Sequence, residues 1–197
     1  MPLSRDNIER SKFPPNPNQW SAERNGLKLR SDFGRAVHAP LNPFEIARQS
    51  NDLKLLSRAE FDAIIGPDCS IKLHGAYRDT WSGFVVPVDG RHFVVINTTH
   101  AETRQHATLT EELFHIRLKH RPCKLSQCPV TGLMKREYAR EIEHEAFWSA
   151  AAALLPYSTL RELVLSGTPI ERIAEMFGIS VQLVQMRMKL TKLWRSR

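Results

Sequence analysis

With 197 residues, 42% of them hydrophobic and 25% charged, the chain fits one main globular domain. It has no apolar run long enough to predict a transmembrane helix and no apolar signal core at its N-terminus, and its three cysteines are too few for a disulfide framework, so we expect a cytoplasmic protein with no membrane partner. The formal net charge of +7 suits an anionic partner such as nucleic acid but does not establish one.

The first half of the chain predicts an arm, two short helices and a group of strands. Residues 1–40 contain the proline-rich stretch KFPPNPNQW and little periodicity, which predicts an extended or mobile arm. Helix starts follow in NPFEIARQ, where asparagine precedes proline, and in SRAEFDAII, where Ser57 and Glu60 form a capping-box pair. The segments SIKLHGAY, WSGFVVPV and RHFVVINTT are typical of strands, and Asp89-Gly90 predicts a hairpin turn between the last two.

The segment HATLTEELFHIRLKH, at 106–120, lies in a predicted helix from Glu102 to His120 that has one apolar face. Glu111 and His115 are four residues apart, so they are neighbours on one side of the helix and can bind one ion. Glu112 lies about 100° round the helix and can instead reach a water beside that ion. This is the geometry of the H-E-x-x-H metalloprotease motif, with Glu111 in the first ligand position.

A third ligand must come from another part of the chain. The segment RPCKLSQCPVTG, at 121–132, contains two prolines and a glycine and predicts a loop. A second long helix is predicted from about Lys135 to Leu155, with Pro156 after it. That helix offers several potential ligands, and spacing alone does not choose among them: Glu141, Glu143, His144 and Glu145.

Taken together, the two helices resemble the ImmA/IrrE family of metallo-endopeptidases, and the likeness extends over about residues 42–193. The positions that match the family's motifs are Asn97, Arg104, Thr108, Leu109, Glu112, Leu113 and His115, followed by Glu143, Ala146, Ala150, Ala151, Leu154 and Pro156. The resemblance implies a metal site formed by Glu111, His115 and Glu143, with zinc as the cofactor and Glu112 as the general base. It also implies a protein substrate, a helix–turn–helix repressor that is cut in a stress, phage or mobile-element circuit.

Glu111 departs from the family pattern because it replaces the first histidine ligand. A carboxylate can bind zinc at nearly the same reach, but two carboxylates and one imidazole neutralise a divalent ion that two imidazoles and one carboxylate would leave positive. Harder ligands also shift the preference toward manganese, iron or magnesium. We therefore expect a weakened or metal-shifted hydrolase site. The rival hypothesis is a catalytically degenerate relative that binds DNA or a repressor.

The basic C-terminal tail, residues 158–197, predicts a helix–turn–helix-like arrangement, because Gly178 can end one helix and Ser180 can cap the next. The second of these helices carries side chains that are able to contact bases and phosphates: Gln182, Gln185, Arg187 and Lys189. The family resemblance favours a different role for this segment, in which Arg187 packs as part of the fold. The sequence does not choose between these two roles.

Other potential sites carry weaker signals. His120, Cys123 and Cys128 are close in sequence, but their spacing matches no common structural zinc site, and free thiols are the favoured interpretation. Surface or packing roles are likewise favoured for three further residues that could instead orient a substrate or stabilise an oxyanion: His106, Tyr138 and His144.

The predicted architecture is an α+β fold. A metallopeptidase-like domain at 41–157 should contain a small antiparallel sheet packed on a zincin-like metal-site helix pair. The helix–turn–helix-like tail should follow it at 158–197.

Overall fold

The computed structural model describes residues 13–121, 124–127, 134–137 and 140–196, with side chains over 13–121 and 140–194. The fold is α+β, which confirms the predicted class. The helices are α1 (Trp20–Asp32), α2 (Pro43–Gln49), α3 (Arg58–Ile65), α4 (Pro67–His74), α5 (Glu102–Arg117), α6 (Arg140–Leu154), α7 (Tyr157–Leu165), α8 (Ile170–Phe177) and α9 (Val181–Leu190). The strands are β1 (Leu53–Leu55), β2 (Gly83–Val88), β3 (Arg91–Ile96), β4 (Lys124–Gln127) and β5 (Met134–Glu137).

Three strands form the main sheet in the order β1-β3-β2. The predicted hairpin is confirmed, since β2 and β3 pair antiparallel around Asp89 and Gly90, whose φ angles are 49° and 77°. The sheet is mixed, because β1 joins β3 in parallel. A strand of three residues is too short to leave an alternating pattern in the sequence.

The sheet lies against α5, which carries the E-E-x-x-H motif. Val94 and Ile96 of β3 form a buried cluster with Leu109 of α5 and Ala47 of α2. At Gly83 a Cβ atom would lie 2.7 Å from Cγ2 of Thr108, so a residue without a side chain lets β2 approach the helix one turn before the motif. The sheet therefore fixes where α5 lies along its own axis and how it is rotated about that axis.

The segment SIKLHGAY, predicted as a strand, is helical through His74 and belongs to α4. Pro67 occupies the first turn of that helix and Asp68 follows it, and both favour a helix N-terminus. His74 Nε2 lies 3.0 Å from Asp62 Oδ1, which ties α4 to α3. These local contacts outweigh the modest strand preference of the β-branched Ile71 in this segment.

Residues 20–32 form α1, so the expectation of an extended or mobile arm over 1–40 is wrong for this stretch; residues 1–12 lie outside the described part of the chain. This helix packs along α6 so closely that a Cβ atom at Gly26 would lie 2.6 Å from the Ala153 nitrogen. Arg30 is buried and donates to the carbonyl oxygens of Ala153 at 2.6 Å and Ala36 at 2.5 Å. Burial lowers the pKa of Arg30 to about 10, which still leaves it charged at neutral pH.

The second motif helix begins later than the sequence predicts. It starts at Arg140, and Lys135 belongs instead to β5, which pairs antiparallel with β4. The predicted loop at 121–132 therefore contains a strand at Lys124–Gln127. The alanine-rich half of α6 is fully buried in the core, as its composition suggests: Ala150, Ala151, Ala152, Ala153 and Leu154.

Three α-helices follow α6 in the tail, and the end of α8 and the start of α9 agree with the predicted signals. Gly178 ends α8 in the left-handed conformation with φ 60°, and the Ser180 side chain accepts a hydrogen bond from the Leu183 N–H at the start of α9. Within the part of the chain that the structure describes, no helix combines the length and apolar character needed to cross a bilayer.

Candidate metal centre

The two motif helices meet through apolar side chains that set the orientation of the polar ones. Leu113 and Phe114 of α5 belong to the same buried core cluster as Ala146 and Ala150 of α6. Phe114 is therefore a core residue. Because Leu113 and Phe114 point into the core, Glu111 and His115 share the adjacent side of α5 and face the first turns of α6.

Glu111, His115 and Glu143 converge. Each offers one ligand atom, and these atoms all lie within 4.8 Å of one another. His115 Nε2 lies 3.8 Å from Glu143 Oε2, and all three side chains are half-buried. Of the four potential ligands that the sequence offers on the second helix, Glu143 is the one placed with the other two in this group. Its neighbour His144 is exposed and stacks on Trp148 with ring centroids 5.0 Å apart.

The electrostatics of the group suit a divalent cation. Burial, reinforced by the nearby charge of Glu143, raises the pKa of Glu111 to about 7. Burial, with a smaller coulombic contribution from the neighbouring His120, lowers the pKa of His115 to about 4, so the His115 imidazole is neutral and can donate a lone pair at neutral pH. Two carboxylates held together cost free energy that a bound cation would recover, so the residues present fit such an ion.

Glu112, the predicted general base, is half-buried on α5 between the two ligand positions of that helix. Asn97, which matches the family's asparagine, is fully buried and has a structural role. Its amide donates to the carbonyl oxygens of Arg78 at 2.6 Å and Trp81 at 3.1 Å. Asn97 thus joins the loop before β2 to the loop after β3 and supports the approach of the sheet to α5.

His120 is a contact residue of the centre that the sequence interpretation missed. Its Nδ1 lies 3.1 Å from Nδ1 of His115, and its Nε2 lies 3.2 Å from Oε2 of Glu145 on α6. The sequence links His120 only to a weak zinc pattern with Cys123 and Cys128, and both cysteines lie outside the described residues, as does Tyr138. The remaining histidine considered, His106, packs edge-on against Phe44 and is not one of the three converging residues.

We predict that Glu111→Gln will stabilise the metal-free protein above pH 7 by roughly 1–3 kcal/mol, since one pKa unit corresponds to about 1.4 kcal/mol. The raised pKa means that, between about pH 4.5 and pH 7, folded Glu111 keeps a proton that the unfolded chain releases. Wild-type stability should therefore fall as pH rises through this window, whereas the uncharged glutamine removes this loss.

Urea unfolding in the presence of a chelator, followed from pH 4 to pH 8, measures this difference. The wild type and Glu111→Gln should agree near pH 4 and diverge toward pH 8. Glu102→Gln on the same helix, where the side chain is 84% exposed, is the matched control and should follow the wild type. Parallel profiles for the wild type and Glu111→Gln would contradict the raised pKa.

Comparison with known proteins bears on these helices directly. A peptidase family model, described as the IrrE N-terminal-like domain, matches residues 72–189, which is more than half of the chain. The matched range begins in α4 and ends in α9, so it includes all three converging residues and excludes α1. A comparison with curated proteins gave no match, and neither did one with solved structures.

Proposed function

Because the chain belongs to the IrrE N-terminal-like peptidase family, we propose that it is a metal-dependent endopeptidase. The observation that carries this proposal is the convergence of Glu111, His115 and Glu143 from two separate helices. These three residues would hold the cation. Zinc is the first candidate because it accepts both nitrogen and oxygen ligands, and manganese is the second because two of the three ligands are carboxylates.

A divalent cation, when bound, supplies Lewis acidity to the scissile carbonyl and lowers the pKa of water. The residues of the chain supply the proton transfers. Glu112 accepts a proton from the attacking water on its carboxylate, and the oxygen forms a bond to the carbonyl carbon. The same carboxyl group then passes the proton to the amide nitrogen as the carbon–nitrogen bond breaks and the amine leaves. The neutral imidazole of His115 takes no part in this proton transfer.

The proposed substrate is a helix–turn–helix repressor that controls stress, phage or mobile-element genes. The test is to incubate the protein with the repressor encoded next to its own gene, with and without chelator, and to measure bound metal by elemental analysis. We expect a discrete cut that the chelator abolishes and that zinc or manganese restores. A purified protein that holds no divalent metal and takes up none on titration would refute the enzyme and leave the non-catalytic alternative.

DNA binding is a second candidate function, and it rests on the exposed face of α9. This helix contains no acidic residue, and it exposes Gln182, Gln185 and Lys189 to solvent. Arg187, which the sequence offered as a phosphate contact, is fully buried and is not available to DNA.

We expect Lys189→Ala to weaken binding to duplex DNA and to reduce the slope of log affinity against log salt by about one. Fluorescence anisotropy over a salt series measures both quantities. Arg172→Ala on α8 is the control, because Arg172 is an exposed arginine that pairs with Glu175. Unchanged affinity and slope for Lys189→Ala would exclude this face as the contact.

A further inference from the structure

A line of hydrogen-bonding groups connects the two ligand helices behind the metal centre. It runs from Glu145 on α6 through His120 to His115 on α5. We propose that His120 is a positioning residue, which fixes the ring orientation and the tautomer of His115 so that the Nε2 lone pair faces the cation. The proposal rests on the proposed function, because it gives this imidazole the role of a metal ligand.

The direction of the hydrogen bonds follows from the donors available. The carboxylate of Glu145 can only accept, so His120 donates through Nε2 across 3.2 Å. A ring that carries its proton on Nε2 has a lone pair on Nδ1, and in this arrangement the hydrogen between the two rings belongs to Nδ1 of His115. With its proton on Nδ1, His115 presents a bare Nε2, the atom that lies 3.8 Å from Glu143 Oε2.

The turn that ends α5 brings His120 into this position. Lys119 adopts the left-handed conformation with φ 55°, and the His120 N–H bonds back to the His115 carbonyl oxygen at 3.0 Å. This is the pattern of a helix C-cap that is closed by a residue with positive φ. The chain reversal leaves the His120 side chain 7% exposed, with its ring 5.1 Å from that of His115 and at 73° to it.

The tautomer matters more in this chain than in one with two histidine ligands. Glu111 occupies the other ligand position of α5, so His115 is the only imidazole among the three converging residues. If Nε2 of His115 carried a proton, the two carboxylates would be the only groups among the three residues that could bind the cation. Partners of this kind behind a histidine ligand typically change metal affinity by about 10- to 100-fold.

The first test measures the tautomer without metal. Multiple-bond ¹H–¹⁵N correlation spectra of histidine-labelled, chelator-treated protein distinguish a proton on Nδ1 from one on Nε2, and the His115 signals are assigned by their loss in His115→Gln. We expect the Nδ1–H form in the wild type and a shift toward Nε2–H in His120→Phe. A wild-type His115 that carries its proton on Nε2 would overturn the proposal, as would an unchanged tautomer in His120→Phe.

The second test measures zinc affinity by competition with a chromogenic chelator. His120→Phe should bind zinc about 10- to 100-fold more weakly. His120→Asn, whose side-chain oxygen can accept near the position of Nδ1, should recover most of the loss. His144→Phe, which keeps a ring on Trp148, is the control and should match the wild type.

Equal zinc affinity in His120→Phe and the wild type would overturn the positioning role. A wild type that binds no zinc would instead refute the proposed metal site, and the spectra of the metal-free protein still decide the tautomer. If His120→Phe does not fold, the wild-type spectrum and His120→Asn still decide the outcome.

Discussion

Glu112→Gln should lower the rate of peptide-bond hydrolysis by about 100- to 10,000-fold, the range usually lost with a general base. Glutamine has nearly the shape of glutamate but cannot accept the proton of the attacking water, so the loss should appear in kcat more than in KM. Metal content should stay at the wild-type level, because Glu112 lies beside the three converging residues and is not one of them.

Initial rates of repressor cleavage, measured with elemental analysis of the same samples, separate catalysis from metal loss. Glu102→Gln is the matched control, since it makes the same chemical change at the exposed first residue of the same helix. It should cleave at the wild-type rate. Persistent cleavage by Glu112→Gln with a full complement of metal would remove Glu112 from its role and require a base from elsewhere in the chain.

The convergence of the three candidate ligands could be predicted in part from sequence, because helix geometry fixes the position of two of them. Glu111 and His115 are four residues apart, and that spacing places them together on any regular helix. Glu143 is different, because the periodicity of the second helix leaves four candidates. Only the order and spacing of two family motifs selected Glu143, and the structure places that residue with the other two.

His120 could not be assigned because its position depends on a helix end. The turn requires a residue in the left-handed conformation. A glycine at this position would have indicated the helix end in the sequence, whereas Lys119 gives no such signal. The partner Glu145 lies 25 residues further along the chain, on a helix whose start was itself misplaced. A residue that acts through another side chain has no fixed sequence spacing from its partners, so no motif identifies it.

The fold was predictable where local chemistry decides it, as at the Asp89-Gly90 hairpin and the Gly178 helix end. It was not predictable at α1, whose inward face contains charged residues. Glu23 and Arg30 are each 1% exposed, so the buried face of this helix is not the continuous apolar stripe that identifies a helix in a sequence. Each has a partner more than 100 residues away in the sequence, Ala153 for Arg30 and Tyr157 for Glu23, and no local pattern indicates such a partner.

Those buried charges lead to the second large effect, which concerns stability. Glu23→Ala should lower the free energy of unfolding by about 3–5 kcal/mol, the usual cost of removing one partner from a buried ion pair. Glu23 Oε2 accepts from Arg187 Nη2 at 2.7 Å, and Oε1 accepts from the Tyr157 N–H at 2.5 Å. Alanine would leave both donors in the core without these acceptors. Urea unfolding monitored by circular dichroism measures the loss.

Two comparisons distinguish a buried pair from a general sensitivity of the fold. Arg172→Ala breaks an exposed pair with Glu175 and should cost no more than about 1 kcal/mol. The double variant Glu23→Leu with Arg187→Met replaces both charges by apolar groups and should recover most of the stability lost in Glu23→Ala, because no unpaired charge remains in the core. A loss below about 1 kcal/mol in Glu23→Ala would mean that water reaches Arg187. The expected larger loss would show that α1, which lies outside the family match, contributes to the stability of the domain that contains the two motif helices.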